Sequence, residues 1–220
     1  MSDNQLIGLA EDFFQNSLDS SPTSAIMRGH KKYFDQIEEL TEDQFQKEKE
    51  TVDNFIQRLN AIEKDNLTSR EQVTHGMLEF ALSSNQDSLL DRSWEFGAGV
   101  SGFTGFLIDY NQQMFVPDSE SADMMLKRLE LYKRLYTQIA QVQKEGLNNN
   151  RVATERNLLR TIDQLENYLA SSLDQDPLLL VNFSPEISDS EISEWKDKAK
   201  NIIEANIRPT VSAYLDQLKT

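Results

Sequence analysis

Apolar residues recur three and four positions apart along most of this chain, a spacing that gathers them into one stripe on each of several successive helices. Leu6, Leu9, Ala10, Phe13, Phe14 and Leu18 set out the first. Ser21 and Pro22 restart the chain, with Ser21 as cap and Pro22 in the first helical position, and the short helix so begun is expected to stop near Gly29. KKYFDQIEEL then reads as a loop or partial turn. Thr41 with Gln44, and Thr68 with Glu71, have capping-box spacing, in which the two side chains satisfy otherwise orphan amides, so each opens a long helix. The first of these carries Phe45, Val52, Phe55, Ile56, Leu59 and Ile62 on its apolar side. Its twin carries Val73, Met77, Phe80 and Ala81, with Leu78 and Leu82 widening the stripe, and runs to about Asn85 or a little beyond. The short connection between them predicts an antiparallel hairpin.

Pro117 and Asp118 announce the clearest helix, with Met125, Leu129, Tyr132, Tyr136 and Ile139 alternating four and three apart and Leu135 and Val142 broadening the stripe. Gly146 followed by Leu147 suggests a Schellman stop. Leu158, Ile162, Leu165 and Leu169 repeat the spacing after Asn148 to Asn150, which predicts a second hairpin. DPLLLVNFSP is an apolar excursion suited to packing over a bundle end. Ser188 with Glu191 makes a third capping box before Ile192, Trp195, Ala199, Ile202 and Ile203. Pro209 should bend or break this last helix just after Ile207, beyond which Val211, Tyr214, Leu215 and Leu218 resume the stripe. No repeat or linker divides the chain, so residues 1–220 read as a single all-α domain, a bundle of antiparallel hairpins.

The stretch from Trp94 to Pro117 departs from that pattern. It holds Gly97, Gly99, Gly102 and Gly105 of the chain's 8 glycines, and their neighbours Phe96, Val100, Phe103, Phe106, Leu107 and Ile108 are apolar. Gly97, Gly99 and Gly102 spell GxGxxG, yet LLDRSWEF before them carries Asp91, Arg92 and Glu95 where a dinucleotide site needs a buried strand. A buried, irregular connector fits the composition better.

Charge removes further classes. The 22 Lys and Arg face 37 Asp and Glu, a formal net charge of -15, so nucleic acid and anionic membrane surfaces are excluded as expected partners. No cysteine is present, which rules out disulfides, zinc-cysteine sites and thiol nucleophiles. MSDNQLIGLAEDFF lacks the basic region and apolar core of a signal peptide, which points to the cytoplasm or to a trimmed exported protein.

Candidate chemistry is sparse. His30 and His75 are the only histidines, fall in different predicted elements, and form no HExxH pattern. Glu71, His75 and Glu79 stand four apart and line one helical face, but a single imidazole between two carboxylates is the usual appearance of a solvated face. SGFTG is no nucleophile elbow, and the adjacent carboxylates Glu38 and Glu39 read as surface charge. No catalytic, cofactor-binding or metal residue is nominated, and no cofactor is expected.

SPTSAIMRG with Tyr33, Phe34 and Asp35, the run ADMMLKRL with Arg128 and Leu129, Gly146 after a long helix, and the closing NIRPTVSAYLDQL resemble the amino-terminal half of bacterial proteins called domain of unknown function 885. The resemblance implies an α-helical wall that borders a cleft in longer proteins similar to zinc metallopeptidases. Their HExxH motif lies in a carboxyl-terminal half, and no position here matches it, so no catalytic residue carries over. Two readings follow: a non-catalytic half of a metallopeptidase-like protein that borders a substrate cleft or docks the other half, and a free-standing acidic helical module that binds a protein partner. The expected contact surface joins Trp94, Phe96, Phe103, Phe106 and Tyr110 of the connector to Val211, Tyr214 and Leu218 of the last helix. Left uncovered, such a patch predicts binding of a protein or peptide, or a homodimer.

Overall fold

Side chains that satisfy orphan backbone amides decide where these helices begin. In the computed structural model, which describes residues 2–96 and 110–220, the Thr68 hydroxyl accepts from the Glu71 amide while the Glu71 carboxylate accepts from the Thr68 amide, and Ser188 with Glu191 repeats the arrangement. Thr41 makes half of its expected box: its hydroxyl accepts from the Gln44 amide at 3.2 Å, and the Gln44 side chain turns to Glu48. Ser21 makes no side-chain cap and donates its hydroxyl to Ser24 instead. The helices among the described residues are α1 (Ser2–Ser20), α2 (Pro22–Met27), α3 (Glu42–Asn60), α4 (Ser69–Asp91), α5 (Ser119–Asn148), α6 (Glu155–Ala170), α7 (Asp189–Ile202) and α8 (Arg208–Leu218). The all-α class read from the pattern is the observed one. The glycine-rich segment from Gly97 to Gly105, with its GxGxxG spacing, lies outside the described residues.

The chain divides into two compact units, one of Met1–Ser20 with Leu40–Ser93 and one of Ser21–Glu39 with Trp94–Thr220. In the first, α1 packs on α3 and α4 around Leu6, Leu9, Val52, Phe55, Leu59, Leu78 and Leu82. The hairpin of α3 and α4 is present, but α4 turns a different face inward from the one expected. His75, Leu78 and Leu82 are buried, whereas Val73, Met77 and Phe80 are exposed. Apolar residues occupy both sides of α4, and the side that meets α1 and α3 becomes the core. The helix also outruns its expected end and stops where Arg92 takes a left-handed φ of 51°.

In the second unit α5 is the axis. Met125, Leu129, Tyr132, Leu135, Tyr136 and Ile139 are buried along it as their spacing predicts. α7 and α8 pack on α5, and Trp195 of α7 anchors there by donating its indole N–H to the Ala122 carbonyl at 2.8 Å. α6 packs chiefly on α8, not as the expected hairpin with α5, and buries Thr161, Leu165 and Tyr168 while Ile162 is half-buried. Between α7 and α8, Ile203–Ile207 forms a π-helical turn, and Pro209 sits in the first turn of α8. The break after Ile207 is thus absorbed as a widened turn, a recognised cause of helix bending. The pattern gave no hint of a strand. β1 (Phe115–Val116) and β2 (Asn182–Phe183) nonetheless pair in parallel, which ties the entry to α5 to the DPLLLVNFSP excursion.

Candidate functional site

The end of α5 shapes a strongly apolar hollow in the second unit. α5 does not stop at Gly146. It runs to Asn148, and Asn150 takes the left-handed φ of 57° that ends it, with Arg151 N–H bonded to the Gly146 carbonyl and Asn150 N–H to that of Leu147. This is a Schellman pattern with asparagine in the glycine position, four residues later than expected. Gly146 serves close packing instead. A Cβ there would lie 2.7 Å from the Glu95 carbonyl oxygen and 2.8 Å from that of Arg151, so only glycine lets the helix press onto both backbones. The buried Glu95 carboxylate receives the Arg151 side chain, so the charge drawn inside is paired.

Against this wall opens a groove of about 420 Å³ lined by Phe96, Leu147, Val152, Leu158 and Leu218 and rimmed by Gln143, Lys144 and Gln217. Phe96 is 38%, Leu147 63% and Val152 57% exposed. Its frame is fixed by hydrogen bonds from α8 to α5: Tyr214 donates its hydroxyl to Gln143 Oε1 and Gln217 donates to the Ala140 carbonyl, both at 2.8 Å. An apolar floor with a polar rim is suited to apolar side chains of a polypeptide, and among the described residues the groove offers no nucleophile beside a base. A smaller hollow of about 220 Å³ lies beside Trp195, and two of its three carboxylates are engaged elsewhere: Glu191 in the Ser188 cap and with Ser119, Glu194 with Lys198.

The structure sorts the expected contact residues plainly. It brings Phe96 and Leu218 together in the groove, and places Trp94 half-buried near its edge in sequence. Val211 and Tyr214, expected on an open apolar face, are buried at 0% and 2% exposure. The reason is that α8 packs on both α5 and α6, and Tyr214 fills that contact with its ring beside Tyr136 and its hydroxyl on Gln143. Tyr110 opens a short turn, Tyr110–Gln113, and Phe103 and Phe106 lie outside the described residues. Leu147, Val152 and the Glu95–Arg151 pair were not foreseen. The only signal for them was the apolar residue on each side of the NNNR turn.

Residues that carry the family resemblance build buried polar ties. Arg128 of α5 is fully buried and donates to the Thr23 hydroxyl at 2.6 Å and to the Gln36 carbonyl, while Glu38 accepts from the Thr23 amide at 2.9 Å and its hydroxyl at 2.8 Å. Arg208 donates to the buried Asp176 at 3.0 and 3.1 Å and to the Ser171 carbonyl at 2.9 Å. Burial pushes the Tyr132 and Tyr168 hydroxyls above their usual titration range. These ties hold loops to helices. Glu71, His75 and Glu79 do not converge: Glu71 belongs to the Thr68 cap, His75 is buried, and Glu79 holds Lys64 at 2.8 Å, which draws its carboxyl downward. Among the described residues no group of three or more His, Asp or Glu is placed to hold a metal ion, and no helix is long and apolar enough to cross a membrane.

In comparison with known proteins, residues 22–220 match the model of a family described as "Bacterial protein of unknown function (DUF885)". No curated protein and no solved structure matches the chain.

Proposed function

Since this chain belongs to the bacterial family of unknown function DUF885, we propose that it is a non-catalytic helical domain that works by docking polypeptide in the groove at the ends of α5 and α8. In the longer, metallopeptidase-like architecture the docked element is the carboxyl-terminal half, and the helical wall borders the substrate cleft that half carries. The observation that supports this reading is the groove itself: Phe96, Leu147 and Val152 stand open to solvent on a frame made rigid by a buried ion pair and a glycine contact. Exposed apolar surface on a fixed concave frame is the usual mark of an interaction site.

The experiment is a calorimetric titration of this chain with the carboxyl-terminal half of a longer family member, prepared as a separate polypeptide. Saturable binding is expected, weakened at least about tenfold when Leu147→Asp and Val152→Asp are combined, the scale expected for loss of a contact cluster. Absence of binding, or binding indifferent to those substitutions in a variant of unchanged helical content, would overturn the proposal.

A further inference from the structure

The outward face of α4 is built to meet another helix, and its charges say which one. Val73, Met77 and Phe80 are 63%, 69% and 76% exposed, although alternating four- and three-residue spacing aligns them in one seam. Extended at the same spacing, the seam begins at Arg70 and continues through Ser84 to Asp87, all of them exposed. The positions flanking it are small and uncharged: Ser69, Gly76 and Ser83 on one side, Thr74, Ala81 and Ser88 on the other. A solvated face would carry charge at such positions. Small flanks let a second helix approach closely, because the distance between packed helices follows the size of the side chains at the contact. Gly76 supports the point independently. It costs an exposed helix interior about 1 kcal/mol relative to alanine, yet among the described residues nothing beyond its own helix turn lies within 4 Å of where its Cβ would be.

We propose that α4 pairs with α4 of a second copy, antiparallel, about a two-fold axis beside Leu78 and Glu79. In that register Met77 meets the partner's Phe80, Val73 meets the partner's Ser84, and Arg70 meets the partner's Asp87. Both ends of the seam therefore close on opposite charges. A parallel pairing would set Arg70 on Arg70 and Asp87 on Asp87, which is repulsive at both ends. Neither side chain has an ion pair within its own chain among the described residues. The contact is isologous, so it closes as a dimer. α4 has 23 residues and is about 34 Å long, and one helix pair of that length buries area near the low end for stable interfaces, so the dimer is concentration-dependent. At physiological salt the repulsion between two chains of charge -15 is screened beyond about 8 Å, while pairs in contact survive.

The chain has no cysteine, so introduced thiols are the only ones. Val73→Cys and Ser84→Cys variants, mixed in equal amounts and treated with a short bis-maleimide, should cross-link to a dimer. Either variant alone should cross-link at most a tenth as well, since like thiols lie about 16 Å apart along the axis in the antiparallel register. Adding Phe80→Asp or Met77→Asp, at exposed positions that leave the helical circular-dichroism signal unchanged, should remove the cross-link, whereas Leu147→Asp in the groove should leave it. Cross-linking of Val73→Cys alone as strong as in the mixture, persistence in both aspartate variants, or a wild-type chain that sediments as a monomer at several hundred micromolar would each overturn the proposal.

Discussion

Gly146 illustrates how much one missing methyl group decides. Helical spacing and the residue type together suggested a helix stop, but the stop falls to Asn150, and Gly146 is retained in mid-helix by the carbonyls of Glu95 and Arg151. Both neighbours are backbone atoms and cannot swing aside. Gly146→Ala should therefore destabilise by about 1 to 3 kcal/mol, the range for overpacking, even though alanine is the better helix former. Urea unfolding checks this, and a variant as stable as the parent would contradict it. Asp118 offers a second test at this scale. It pairs with Lys31 and also caps α5 through the Ser121 amide, which together lower its carboxyl to about 2. Because the folded value lies below the unfolded one of about 3.9, its stabilisation is complete above about pH 4 and disappears as pH falls through 2. The fall in urea midpoint between pH 4 and pH 2 should be shallower in Asp118→Asn. An unchanged slope would show that the pairing has no thermodynamic weight. The residues that carried the family resemblance also gain their meaning here: Thr23, Arg128 and Arg208 stand apart in sequence because each closes a buried hydrogen-bonded tie, and truncating one partner of such a tie leaves the other uncompensated.

Helix starts were legible and helix faces less so. Thr68 with Glu71 and Ser188 with Glu191 announce their helices by local chemistry that involves only four residues, and tertiary structure leaves them intact. The face of α4 depends on partners far along the chain. It carries two apolar rows of equal size, Val73, Met77 and Phe80 facing outward and Leu78, Leu82 and Leu89 facing the core, and spacing alone cannot say which of them meets α1 and α3. Leu82→Ala should thus cost about 2 to 5 kcal/mol, while Phe80→Ala in dilute monomer should stay within about half a kcal/mol. The reverse order would show that the buried row has been assigned to the wrong side. The pairing of β1 with β2 escaped the pattern because two residues show no alternation. The irregularity before α8 did not escape it: the π-helical turn Ile203–Ile207 lies where Pro209 was expected to interrupt the helix, since proline removes a backbone donor regardless of context.

For the molecule as a whole, the sequence excluded more than it named. A charge of -15 and the lack of HExxH or cysteine argue against nucleic acid, anionic lipid and the familiar zinc chemistries as expectations, and the proposed docking role rests on the groove instead. Two of the groove's five large apolar residues were on the expected surface, Phe96 and Leu218, whereas Val211 and Tyr214 are consumed by packing of α8 on α5 and α6. Leu147 and Val152 flank a polar turn, and a pattern of separate helices could not show that the chain reverses there to bring them together. The account stands or falls on whether this groove is where polypeptide docks. The most direct measurement places an environment-sensitive fluorophore on Leu147→Cys, the only thiol in the chain, and adds the carboxyl-terminal half of a longer family member. A saturating blue shift is predicted as the label is buried, with no such shift from the same label on exposed Ile7→Cys. A shift at Ile7→Cys with none at Leu147→Cys would contradict this.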